Sequence, residues 1–154
     1  MSVLHIPVQY HTDAYGPDGI VVFRAGEWYD LRSAEDVFIP TGTFAMVDLG
    51  VSMQLPSGYE AILAPRSSTF KRYGIIQTNG VGVIDNSYCG ASDIWKMPVF
   101  CLVGTSPGGN GSMIHKGDRI GQFRIQQIQP PAILYPVQHL IGQDRGGFGS
   151  TGVN

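Results

Sequence analysis

The sequence predicts an all-β subunit, a jelly-roll-like sandwich or barrel carrying one short helix. Three observations predict it: the dominant hydrophobic period is two, short apolar runs are bounded by Gly, Pro, Asn or Asp, and a single stretch carries helix signals. In VDLGVSMQLP, Val47, Leu49, Val51, Met53 and Leu55 alternate with Asp48, Gly50, Ser52 and Gln54, the pattern of one half-buried strand. In DRIGQFRIQ, Gly121, Phe123 and Ile125 alternate with Gln122, Arg124 and Gln126. VFIP, YEAILAP, GIIQTN, MPVFCLV and AILYPV read as further strands. The helical stretch is SSTFKRYG (67–74), with serines fit for an N-cap, a cationic end and a terminating Gly74; it is too short to be stable alone. SPGGNGS (106–112) carries turn chemistry and reads as a hairpin loop, and it lacks the GK[ST] ending of a phosphate-binding Walker loop. With no internal repeat and no linker, residues 1–154 are expected to form one domain.

Composition narrows the function classes. Charged residues make up only 14% of the chain, against roughly 25% in a typical soluble domain. So little charge for a solvated surface points to burial in an oligomer. The net charge of −2, with no basic block, argues against a nucleic-acid backbone as partner, which needs many cations. A single nucleotide remains compatible, because backbone amides and a metal ion can hold its phosphates. Cys89 and Cys101, the 2 cysteines, make neither a disulfide framework nor a zinc site and read as reduced thiols of a cytoplasmic protein. The 4 histidines share no ligand spacing. The N-terminus shows no signal peptide, and no stretch approaches the roughly 20 apolar residues of a membrane span.

Five segments interrupt the strand pattern with polar residues that a core would not request: YDLRSAED (29–36), APRSSTF (64–70), NGVGVIDNSYCG (79–90), KGDRIGQ (116–122) and DRGGFGSTG (144–152). Singly, each is weak; Asp30 suits a turn, Arg66 a surface, and Asp85 the end of an apolar strand. Together and in this order they closely resemble the five motifs of the trimeric dUTPase family (deoxyuridine triphosphate nucleotidohydrolases). The PRSS form of the second motif and the DxW string at 93–95 resemble a bacterial and phage branch of it.

The resemblance implies a homotrimer of β-clip subunits with active sites shared between chains, cleaving dUTP to dUMP and pyrophosphate with Mg²⁺ on the triphosphate. It implies that Asp85 is the catalytic aspartate that orients and deprotonates the attacking water, a role open to a carboxylate ionised at neutral pH. Asn79, Gly82, Val83 and Ile84 match the hairpin that reads uracil, where backbone groups and a close approach imitate a base-pairing edge. Tyr88 matches the tyrosine packed against deoxyribose, excluding a 2′-hydroxyl. Arg66, Ser67 and Ser68 match the phosphate-binding second motif, and the helical turn that follows would aim free N–H groups at an anion. Gln122 matches a phosphate-side polar residue, whereas Asp118 and Arg119 read as structural, forming ion pairs or turn contacts. Asp30 matches the carboxylate that holds the metal through its waters, which suits an ion that keeps much of its hydration shell.

Some family positions differ. Ser87 and Ala91 stand where acids are common, Cys89 where a basic or polar residue is common, and Ser68 where glycine is common. Two other classes fit the same resemblance less fully. A dCTP deaminase-like enzyme, alone or bifunctional, would not carry the complete fifth motif, and a phage-type nucleotide-sensitive regulatory protein would bind a protein partner instead. The glycine-rich end, 143–154, resembles an arm that closes over a neighbouring chain's site. Arg145, Ser150 and Thr151 would meet the terminal phosphates, Phe148 would cover the uracil, and Gly149 between them would also bind substrate. Glycine loses the most backbone freedom on ordering, so this arm is expected to be mobile when free and ordered by a triphosphate.

Overall fold

The structure is a computed structural model that describes residues 3–20 and 27–147. Among the described residues, eleven strands and one short helix follow one another: β1 (Val8–Tyr10), β2 (Tyr29–Arg32), β3 (Val37–Pro40), β4 (Phe44–Asp48), β5 (Val51–Met53), β6 (Tyr59–Pro65), α1 (Thr69–Tyr73), β7 (Ile75–Gln77), β8 (Gly82–Asp85), β9 (Lys96–Cys101), β10 (Gly111–Ile114) and β11 (Arg119–Gln127). All pairings are antiparallel. A four-stranded sheet runs β2-β11-β6-β8, a three-stranded sheet β4-β9-β7, and two pairs, β1-β5 and β10-β3, complete the sandwich. Inward positions of facing strands meet in one core in which Leu31, Leu63, Trp95, Met97, Val99 and Phe123 are buried. Trp95 sets its ring edge-on to Phe123 with centroids 5.1 Å apart. No helix among the described residues is long and apolar enough to cross a membrane.

The expected strand over 47–55 is instead two strands in different sheets. Gly50 takes φ +64°, a conformation open to glycine, and its N–H donates to Asp48 Oδ1 at 2.6 Å. β4 then pairs with β9 while β5 turns to β1, and all of β5 is buried. The loop 106–112 does turn, with Gly109 N–H donating to Ser106 O at 2.9 Å, but it is not a hairpin loop. The strands on either side pair elsewhere, β9 with β4 and β7, β10 with β3.

AILYPV is not a strand. Residues 128–147 form no helix or strand, and Ile133, Leu134 and Tyr135 are exposed. Pro130, Pro131 and Pro136 lack the N–H a ladder requires, and no strand among the described residues pairs with them.

The helix is present but is capped differently from the expectation. Ser68 makes no side-chain cap bond; Thr69 Oγ1 accepts from Arg66 N–H at 2.9 Å and donates to Ile120 O at 2.8 Å. Gly74 ends the helix at φ +60°, and a Cβ there would meet the Val103 carbonyl oxygen, so only glycine fits.

Candidate active site

The four-stranded sheet carries the predicted residues because alternation sends one set outward. Across β8 and β6, Gly82 faces Leu63 and Asp85 faces Glu60. Gly82 is buried, Ile84 half-buried, and Val83 and Asp85 exposed. Position 82 must be small: a Cβ would lie 3.1 Å from Leu63 Cβ. The preceding loop is held by Thr78 N–H on Pro98 O at 3.0 Å and Val81 N–H on Asn79 O at 2.7 Å. Loop, strand and following turn border a cavity of about 370 Å³, lined by Asn79, Gly82, Val83, Ile84, Asp85 and Tyr88. Met46, Ile94, Trp95, Lys96 and Pro98 form its other wall. The Tyr88 hydroxyl donates to Ile94 O at 3.3 Å, which joins the two walls.

Asp85 is fully exposed at the mouth. Ser87 donates both its hydroxyl and its N–H to Asp85 Oδ1, the latter at 2.7 Å. The hydroxyl first and the N–H second hold the carboxyl below the ordinary carboxylate range. The serine that departs from the family pattern is therefore the carboxylate's own hydrogen-bond partner. Cys89 is exposed in a separate shallow cleft with Ser52 and Gln54, and Cys101 is buried.

A second group lies on the same outer face. Asp30 on β2 stands opposite Gln122 on β11, which stands opposite Ala64 on β6. Arg66 follows β6; its Nε donates to Asp30 Oδ1 at 2.8 Å, and its Nη1 reaches Ser68 Oγ at 3.5 Å. Ser67 is exposed beside them. Gln122 Nε2 donates to Pro65 O at 3.1 Å.

Arg119, read from the sequence as a structural residue that forms ion pairs, makes one with this group: its Nη1 donates to Asp30 Oδ2 at 3.1 Å. A bulge makes that reach possible. Arg119 pairs with Arg32 and Gly121 with Leu31, so Ile120 is the extra residue; it turns into the core and Arg119 turns out to the Asp30 face. Irregular pairing of this kind leaves no mark in a period-two pattern. Asp118 is structural as expected, accepting from His115 N–H at 2.9 Å.

Within one chain the two groups stay apart. Asp85, Glu60 and Gln126 share one row across the sheet, and Gln122 and Asp30 share another four residues along β11. Three strand spacings and four residues place Asp85 and Asp30 on the order of 20 Å apart. No single phosphorus can be near both carboxylates of one subunit. Arg145 is exposed in the irregular stretch; Phe148, Gly149, Ser150 and Thr151 lie outside the described residues.

No group of three or more His, Cys, Asp or Glu among the described residues could hold a metal ion. The donor set at Asp30 is one carboxylate, each oxygen of which accepts one guanidinium N–H and keeps a further lone pair. That suits an ion that arrives on phosphate oxygens and is held through water, not one held in a protein cage.

A family model described as dUTPase matches residues 24–152. The chain belongs to the dUTPase family. A prophage-derived deoxyuridine 5′-triphosphate nucleotidohydrolase of Bacillus subtilis is 53% identical over 127 residues, covering 82% of this chain and 84% of that protein. The enzyme of the same name from Yarrowia lipolytica is 36% identical over 145 residues, covering 92% and 85%. Among solved structures, the dUTPase of Staphylococcus bacteriophage 80alpha with dUPNHPP superposes with a TM-score of 0.77 at 21% identity, covering 98% of this chain and 100% of that one. A mutant dUTPase of phage phi11 of S. aureus, described with a structural Mg(II) ion, gives 0.69 at 20% identity, covering 88% and 98%. Both structures share the dUTPase fold with this chain.

Proposed function

We propose that this chain hydrolyses dUTP to dUMP and pyrophosphate, with Mg²⁺, as a homotrimer whose sites are shared between subunits. The single observation that carries the reading is the cavity at the GVID hairpin. One wall holds Asn79 and the β8 backbone for a base, Tyr88 for a sugar, and Asp85 at the mouth where the α-phosphate would lie. Asp85, already bound on Oδ1 by Ser87, uses Oδ2 to orient a water and takes its proton as the new P–O bond forms. The bond to the bridging oxygen breaks, and pyrophosphate leaves with the electron pair. Mg²⁺, when bound, neutralises phosphate charge and favours that departure.

Arg66, Ser67, Ser68 and Gln122 hold phosphate oxygens from a neighbouring subunit, and Asp30 holds the ion through its waters. The separation of Asp85 from Asp30 within one chain supports this shared arrangement. Residues 1–154 act as one domain, with 143–154 an arm that brings Arg145, Phe148, Gly149, Ser150 and Thr151 over the nucleotide. Such an enzyme works where deoxynucleotides are made, in the cytoplasm, and limits uracil entry into DNA.

The test is pyrophosphate release with Mg²⁺. Purified protein should act on dUTP and spare dCTP, dTTP and UTP. Bound but unhydrolysed dUTP would overturn the reading.

A further inference from the structure

Gln77 ends β7 with 7% of its surface exposed, a polar side chain held between the two main sheets. Its Nε2 donates to Leu63 O on β6 at 3.2 Å and to Asn79 Oδ1 at 2.9 Å. We propose that Gln77 is a positioning residue for base specificity, because it fixes which end of the Asn79 amide faces the cavity. The inference rests on the dUTP reading above.

The orientation follows from hydrogen-bond bookkeeping in series. A backbone carbonyl can only accept, so the end of Gln77 that meets Leu63 O must be the NH₂ group. The second hydrogen on that nitrogen points to Asn79, so the atom receiving it must be Oδ1. Nδ2 is then the end left to the cavity that Asn79 lines, and it has no hydrogen-bond partner among the described residues. Reversing the Gln77 amide would set Oε1 against Leu63 O, acceptor against acceptor. The native arrangement leaves Oε1 buried and unpaired, so the two donor bonds prevail over that loss. The hairpin lies directly over this relay: a Cβ at Gly82 would come 3.6 Å from Gln77 Nε2.

A fixed donor suits a carbonyl oxygen at position 4 of the pyrimidine, as in uracil. The amine of cytosine at that position would face it donor to donor. A free asparagine amide could turn and offer Oδ1 to that amine, so a pocket relying on Asn79 alone would discriminate less.

The experiment compares kcat/KM for dUTP and dCTP in the full-length wild type, Gln77→Met, Asn79→Ala and the double variant. Gln77→Met should lower the dUTP-to-dCTP ratio by about tenfold, the worth of one well-placed bond. The change should fall on KM, since Asp85 and Ser87 are untouched. In the Asn79→Ala background the same substitution should leave the ratio where it is, because nothing remains to orient. An unchanged ratio in the single variant, or an equal fall in the Asn79→Ala background, overturns the proposal. If the methionine variant does not fold by circular dichroism, Gln77→Glu keeps the shape, removes the donors and should give the same loss. A wild type without dUTP turnover overturns the underlying functional reading, whereas a working wild type with an unmoved ratio overturns only the role of Gln77.

Discussion

The hairpin around Asn79 and Asp85 and the last described stretch, 128–147, follow opposite rules. The hairpin is tied into two sheets, and Asn79, Asp85 and Tyr88 each find hydrogen-bond partners inside the chain. The later stretch has no ladder, and Leu134 is 94% exposed among neighbours that are nearly as open. Large apolar side chains in such a row are usually covered by something. The contrast teaches that one chain builds the cavity around Asn79 and Asp85 from its own contacts, while 128–147 finds no strand to pair with among the described residues.

The largest effect should come from the self-sufficient half. Asp85→Asn keeps the shape and loses the base, so turnover should fall at least about a hundredfold while calorimetry still detects dUTP binding. Normal turnover would remove Asp85 from the mechanism and break the comparison at its firmer end. Deleting 145–154 should come next. Losing about 2 kcal/mol of charge-assisted bonds corresponds to on the order of 30-fold in kcat/KM. Light scattering should still report three chain masses, and full activity in the truncated protein would reject the arm assignment.

Asp30→Asn should cost about tenfold in apparent Mg²⁺ affinity, the scale for removing an outer partner of a metal, as read from the Mg²⁺ dependence of pyrophosphate release. It should also lower the melting temperature, since Arg66 and Arg119 lose the charge they share. The smallest effect is expected for Ser87→Ala. Removing the hydroxyl that depresses the Asp85 pKa lets that pKa rise, so less of the carboxylate is ionised at a given acid pH. The acid limb of the kcat/KM profile should move to higher pH, with rates near neutral pH unchanged. A limb that stayed in place would mean that Ser87 does not act on Asp85 during turnover.

β6 and β11 were legible because apolar runs and alternation mark a half-buried sheet, whereas β2 and β8, which carry Asp30 and Asp85, lie in the polar segments that interrupt that pattern. The grouping of Asn79, Gly82, Val83, Asp85 and Tyr88 was legible from the motif. Features governed by pairing were not. The break at Gly50 separates two strands within one unbroken alternation, and the bulge at Ile120 sends Arg119 to Asp30. Residues 132–137 have a strand's composition but no strand among the described residues that pairs with them. Gln77 did leave a trace: it sits in phase with buried Ile75, and a polar side chain on the core side of a strand must find partners.

The trio Arg66–Asp30–Arg119 has a kinetic consequence. Two guanidiniums share one carboxylate on the face of a chain whose net charge is −2. A polyanion drifting in from afar meets weak repulsion, and feels attraction only within roughly a Debye length, about 8 Å at physiological salt. Added salt screens the distant repulsion before it screens the near attraction. The association rate should therefore stay flat or rise slightly at low ionic strength before it falls, unlike the steady decline of a uniformly basic binding face.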